Sequence, residues 1–304
     1  MSKNFTAKDV QMLRKRTGVG MMDCKAALEE AEGDIEEAIK ILRKKGAAKA
    51  AKKADRIAAE GVVASKIVGD LGAIVEINSE TDFVAKNERF KKFAERILDV
   101  ILKNKPKNLE ELKSLKMSDE TNFTVEKALQ EEILTIGENI KIRRFSCLEG
   151  KLISYVHGNG TIAVLVKFND KADVKNEKFI EFGKNIAMQI AASNPQYLNS
   201  NEIPEKVLNE EKEIFKQQII NSGKPENIVE KIVKGQISKF YKEVSLVDQE
   251  YVKDSSLTVG QYCKNFSKEI SEDVEIIKFV RMEKGEGIEK KSEDFGSEVF
   301  SMLN

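Results

Sequence analysis

"KNERFKKFAERI", residues 86–97, has a near twin in "KNEKFIEFGKNI", residues 175–186. In the first copy Phe90, Phe93, Ala94, Ile97, Leu98 and Ile101 fall on one face of a helix; in the second Phe179, Phe182, Ile186 and Ile190 do. A glycine-led apolar strand precedes each helix, "GAIVEIN" at 72–78 and "GTIAVLVKF" at 160–168. Upstream, "GVVASKIVGDLGAIVEIN" (61–78) reads as a hairpin turning around Gly69–Gly72. "KIRRFSCLEGKLISYVHGNGTIAVLVKF" (141–168) reads as three strands with a turn at Gly158-Asn159-Gly160. The pattern is a duplicated β-hairpin–helix unit. Two copies are too few for a solenoid, so two related subdomains of an α+β fold are expected.

The flanking segments are helical. Residues 1–46 read as three short helices. Thr6 with Asp9 has capping-box spacing, Val10 and Leu13 share a face, and Gly18 falls where a stop belongs. The second helix runs through "MMDCKAALEEA". Asp34 with Glu37 caps the third, whose stripe is Ile35, Ala38, Ile39 and Leu42, with Gly46 as its end. Arg43 to Arg56 carries seven basic residues and one acid. It reads as a solvated, partly helical linker, the alternative being an RNA-contacting arm. In 205–245, Val207, Leu208, Ile214, Phe215 and Ile219 precede a Gly-Lys-Pro break, and Ile228, Val229, Ile232, Val233, Ile237 and Phe240 follow it. That is an antiparallel helical hairpin interrupting the second copy. Helix-then-strand character returns after it, "SEDFGSEVFSML" suggests a terminal helix, and 103–128 reads as a polar helical excursion with no assigned role.

Composition removes several function classes. Charged residues are 34 % of the 304, with 51 basic and 51 acidic side chains. That balance supplies no global field toward nucleic acid or an anionic membrane. Cys24, Cys147 and Cys263 are scattered, which argues against a disulfide framework or zinc site and for a reducing compartment. The N-terminus lacks an apolar signal core, and "TIAVLV" is too short to span a bilayer, so a soluble cytoplasmic protein is expected. No GxxxxGK[ST] loop occurs, and "HGNG" lacks the context of a dinucleotide site. The one histidine, His157, reads as structural, and no nucleophile motif accompanies it. Binding rather than covalent chemistry is indicated, with no cofactor and no metal site.

Five stretches then converge: "LRKRTGVGMMDCKAAL" (13–28), "TDFVAKN" (81–87), "IGENIKIRR" (136–144), "SGKPENIVEKIVKG" (222–235) and "GEGIEK" (285–290). Together they resemble the translation elongation factor Ts family over nearly the whole chain. The resemblance implies a non-enzymatic guanine-nucleotide exchange factor for elongation factor Tu. It implies a three-helix, UBA-like N-terminal domain with the basic linker (1–55) and two core subdomains (56–144; 145–197 with 247–280). It also implies an inserted coiled-coil hairpin (198–246), offering a route to a dimer or 2:2 complex, and a C-terminal module (281–304). Thr81, Asp82, Phe83 and Val84 match the stretch that intrudes beside the GTPase's Mg²⁺ site, with Phe83 as the wedge. Arg14, Met21 and Met22 match the part that grips the nucleotide domain. One departure is Gln189, in "MQIAASNP", where many members carry histidine. A helical adaptor or RNA-binding translation protein, and a metal-dependent hydrolase, are the competing classes.

Phe83, in "NSETDFVAKN" (78–87), is ambiguous on pattern alone. It lies in helical phase with Phe90, which favours core. The second copy, "NDKADVKNEK" (169–178), has no aromatic there, which favours an external target.

Overall fold

The computed structural model describes residues 5–118 and 121–289; the terminal helix expected at 292–303 lies outside them. Thr6 opens α1 (Ala7–Thr17), its N–H donating to Asp9 Oδ2 at 2.7 Å. Helix α2 spans Met21–Glu30, and Asp34 caps α3 (Ile35–Lys53) by accepting from the Glu37 N–H at 2.9 Å. Val10, Leu13, Cys24, Leu28, Ala38 and Leu42 close a small core around which the three helices pack.

Helix α3 corrects one sequence expectation. It does not stop at Gly46 but runs on to Lys53. Alanine-rich sequence propagates the helix, and Gly46 is buried against α7 (Val125–Ile136), where a Cβ would stand 3.4 Å from Gln130 O and Leu134 Cδ2. The missing side chain serves close helix approach rather than termination. Four of the seven basic residues in the run meet acids: Lys45 meets Glu30 at 2.7 Å, Lys49 meets Asp23 at 2.9 Å, Arg43 meets Glu131 at 3.4 Å and Arg56 meets Glu80 at 3.5 Å.

The repeat is more extensive than the helix motif. The first copy continues through β1 (Glu60–Val68), β2 (Leu71–Ser79), α4 (Asp82–Lys86), α5 (Glu88–Asn104), α6 (Leu109–Ser114), β3 (Lys116–Ser118), β4 (Thr121–Thr124), α7 and β5 (Lys141–Glu149). The second runs β6 (Lys151–His157), β7 (Ile162–Phe168), α8 (Glu177–Ser193), α9 (Glu205–Asn221), α10 (Glu226–Val244), β8 (Glu250–Tyr251), β9 (Asp254–Thr258), α11 (Val259–Ile270) and β10 (Ile276–Glu283). Both sheets have the hairpin's second strand in the centre, β1-β2-β5 and β6-β7-β10. Gly61 and Gly150, and Gly69 and Gly158, are paired positive-φ glycines at the same repeat positions. Asn87 and Asn176 cap α5 and α8, and Thr124 and Thr258 cap α7 and α11.

Residues 103–128 are therefore not a plain helical excursion. They contain α6 and the β3–β4 hairpin, with Leu112 and Met117 buried. The second copy reproduces this piece as β8–β9. The Val125 N–H donates to Leu115 O at 2.8 Å and the Val259 N–H to Gln249 O at 2.9 Å. Helices α9 and α10, which pack on one another through Ile219, Val229 and Ile237, lie between α8 and β8.

By internal contacts the described residues form two compact units. One draws on the described residues of 5–64, 75–145 and 283–289; the other is Ser65–Ile74 with Ser146–Met282. In the second, Phe182 stacks on Phe266 at 4.1 Å and Phe168 meets Phe179 edge-on at 5.0 Å. In the first, Phe90, Phe93, Ile97 and Ile101 are fully buried along α5. There the carboxylate of Glu76 is buried too. It accepts from Arg143 at 3.0 Å, Arg144 at 2.6 Å and the Gly285 N–H at 2.8 Å. Burial alone would raise its pKa, but these bonds and one from Asn78 hold it below the ordinary carboxylate value.

Candidate partner-binding site

Strand β2 ends in buried polar residues, Asn78 and Ser79, and the chain then turns sharply. Thr81 is extended (φ −122°, ψ 158°) and opens α4, a helix of 5 residues. Asn87, extended at φ −72° and ψ 129°, ends α4 with its N–H on Val84 O at 3.0 Å. Its side chain starts α5 by accepting from the Arg89 N–H at 2.8 Å. This break decides the orientation of Phe83. A continuous helix would have carried the ring into the Phe90 face, but the non-helical residue between α4 and α5 resets the phase. Val84 and Ala85 turn inward, and Phe83 is 80 % exposed.

The turn is tied down on both sides. Thr81 Oγ1 donates to Glu138 Oε1 at 2.6 Å, and the Thr81 and Glu80 N–H groups donate to Glu138 Oε2 at 3.0 and 3.1 Å. Ser79 Oγ donates to Thr81 O at 3.0 Å. Asp82 holds Lys86 at 2.6 Å, and that ammonium keeps its carboxyl below the usual range. Of the four residues in the stretch, Phe83 faces outward and Val84 is an inward anchor. Thr81 and Asp82 are held in polar contacts.

Arg14 is exposed near the end of α1, and Met21 and Met22 are 41 % and 72 % exposed in the first turn of α2. Sequence reasoning overlooked Met12, 47 % exposed on α1. Its signal was its position outside the Val10/Leu13 stripe, where an apolar residue has no core to fill. It also overlooked Glu138, which nothing local marks as a neighbour of Thr81. Gln189 is fully buried. Its amide donates to Gln249 Oε1 at 3.1 Å and Glu250 O at 3.2 Å, and its oxygen accepts the Val252 N–H at 2.8 Å. It secures the β8–β9 hairpin to α8 and presents nothing outward.

His157 sits at the end of β6 with Nδ1 3.0 Å from Tyr155 Oη. Burial pushes the Cys263 thiol up to about 12 and raises that of Cys24. Among the described residues no cluster of three potential metal ligands occurs, and no helix is long and apolar enough to cross a membrane.

The result is an α+β protein with an aromatic ring exposed on a short, clamped helix and methionines exposed on α1 and α2. The family model for elongation factor Ts matches residues 80–286. An elongation factor Ts from Syntrophotalea carbinolica is 50 % identical over 302 residues, 98 % of this chain and 99 % of its own length. Those from Clostridium kluyveri and Trichlorobacter lovleyi are 49 % and 46 % identical, each aligned over 97 % of this chain and 97 % of its own length. The chain belongs to the elongation factor Ts family.

Proposed function

We propose that the chain is the guanine-nucleotide exchange factor for elongation factor Tu in the elongation cycle, working in the cytoplasm without cofactor or bond chemistry of its own. Membership of the family supports this reading, and the observation that carries its mechanism is the outward Phe83 on a clamped turn. A GTPase holds GDP through phosphate contacts and a bridging Mg²⁺. An exchange factor binds the nucleotide-free GTPase better than the loaded one and, by reciprocity, weakens nucleotide binding by the same factor. A weakening of ~10⁴-fold needs about 5.5 kcal/mol of differential contact, within reach of a few apolar anchors.

Phe83 is the wedge toward the elements that hold the metal. Thr81 and Asp82 set its approach, and Val84 roots the turn in the core. Arg14, Met21 and Met22, joined by Met12, grip the nucleotide domain from the three-helix, UBA-like part (1–55). The core subdomains are 56–144 and 145–197 with 247–280. The coiled-coil hairpin (198–246) is inserted in the second, and 281–304 is a C-terminal module. On the hairpin, exposed Ile214 and Ile220 support self-association into a dimer or 2:2 complex. Acid partners of Lys45, Lys49, Arg43 and Arg56 occupy four of the seven basic side chains that an RNA-contacting reading would need.

The test is stopped-flow release of a fluorescent GDP analogue from elongation factor Tu. Catalytic amounts of the chain should accelerate release; an unchanged rate refutes the proposal.

A further inference from the structure

The "IGENIKIRR" stretch (136–144) lies beside the Phe83 junction without presenting an exposed apolar anchor of its own. Gly137 ends α7 in a left-handed turn, its N–H on Ile133 O at 2.9 Å, and delivers Glu138 and Asn139 to the Phe83 junction. The contacts there are reciprocal. Glu138 accepts from Thr81 Oγ1 and from the Thr81 and Glu80 N–H groups, while Glu80 Oε1 accepts the Asn139 N–H at 2.6 Å. Asn139 is itself fixed, its amide donating to Arg56 O at 2.7 Å.

A helix of 5 residues has too few internal bonds to set its own position. On its C-terminal side α4 is held by Asn87; on its N-terminal side the carboxylate of Glu138 is the principal tie. The second copy gives a comparison within the same chain. There Asn169 is tied to backbone carbonyls, its N–H to Glu275 O at 3.0 Å and its Nδ2 to Asp273 O at 2.7 Å, and the carboxylates nearby meet Lys171 at 4.0 Å (Asp273) and the Lys175 N–H at 3.0 Å (Asp173) instead of gripping the turn's own N–H groups as Glu138 does. That junction has no aromatic, and Ala172, at the repeat position of Phe83, is buried. The carboxylate clamp occurs in the copy that projects a ring.

We propose that Glu138 is the positioning residue for Phe83: it touches no partner and acts on exchange only by holding the ring at one angle. This rests on the wedge reading of Phe83. A wedge that must meet a fixed target loses effect when its support loosens, even with the ring intact.

The experiment is a double-mutant cycle on the full chain, read as the maximal rate of fluorescent GDP release from elongation factor Tu, with thermal melts alongside. Glu138→Ala should slow release about 5-fold or more, short of the Phe83→Ala loss, and Glu138→Gln, which keeps one acceptor oxygen, should fall between. In a Phe83→Ala background, Glu138→Ala should slow release no further. Equal slowing in both backgrounds overturns the proposal and makes Glu138 a general stabiliser. Slow release with Phe83→Ala but normal release with Glu138→Ala overturns the clamp alone. Normal release with Phe83→Ala refutes the wedge itself, and the clamp's role with it.

Discussion

Replacing Phe83 by alanine should separate activity from stability. Full burial of a phenylalanine side chain contributes about 1.5–3 kcal/mol. With 80 % of Phe83 exposed in the free chain, about 1.2–2.4 kcal/mol of that is left for a partner. At 1.36 kcal/mol per decade, exchange under subsaturating factor should slow about 8- to 60-fold. The fold should hardly notice, because the ring has few intramolecular contacts to lose. A stability change within about 0.5 kcal/mol is expected for such a surface site, a Tm shift of about 2 °C or less for a chain of this size. The assay is stopped-flow release of a fluorescent GDP analogue over a concentration series, with a melt on the same preparation. Unchanged release would refute the wedge. A Tm drop of about 5 °C or more would show that Phe83 is a packing residue, and the orientation argued from the break at Asn87 would be wrong.

Gly46 offers a test of the α3–α7 contact. Gly46→Ala should be neutral or mildly stabilising, since helix propensity gains up to about 1 kcal/mol. Gly46→Val should destabilise by about 1–3 kcal/mol by pushing on Gln130 and Leu134, read as a shift in denaturant midpoint. Glu76→Gln should lower stability by about 3 kcal/mol, because two guanidinium groups lose a buried partner. Since the folded-state pKa of Glu76 lies below its ordinary 4.5, its contribution is present above that pH and lost as pH falls through the folded value. The gap between native and variant melts should therefore narrow on acidification below about 4.5. Gln189→Ala should reduce stability by about 1–3 kcal/mol, chiefly by leaving the buried Gln249 Oε1 unsatisfied and by removing the acceptor of the part-buried Val252 N–H, with exchange at 25 °C unaltered.

Much of the local structure could be read from residues alone. Capping pairs at Thr6–Asp9 and Asp34–Glu37, the phenylalanine stripes of α5 and α8, and the hairpin turns at Gly69 and Gly158 are short-range signals. Their physics lies within one or two turns of chain, so periodicity and capping chemistry suffice. The motif resemblance likewise needed no coordinates.

Other features depended on contacts far apart in sequence. Gly46 looks like a stop until α7 is seen against it. Residues 103–128 look patternless because β3 and β4 are short, and their pairing and buried side chains make sense only against neighbouring elements. Phe83 could be placed only once the extended backbone at Asn87 had set α4 out of phase with α5. Its clamp comes from Glu138, on the far side of three helices and two strands in chain order. The sequence determined the long amphipathic helices, the longer strands and the recurrence of the unit. The tertiary structure decided which way the ring of Phe83 faces and what holds it there, because a side chain's direction at a helix junction is set by the neighbours that fold onto it.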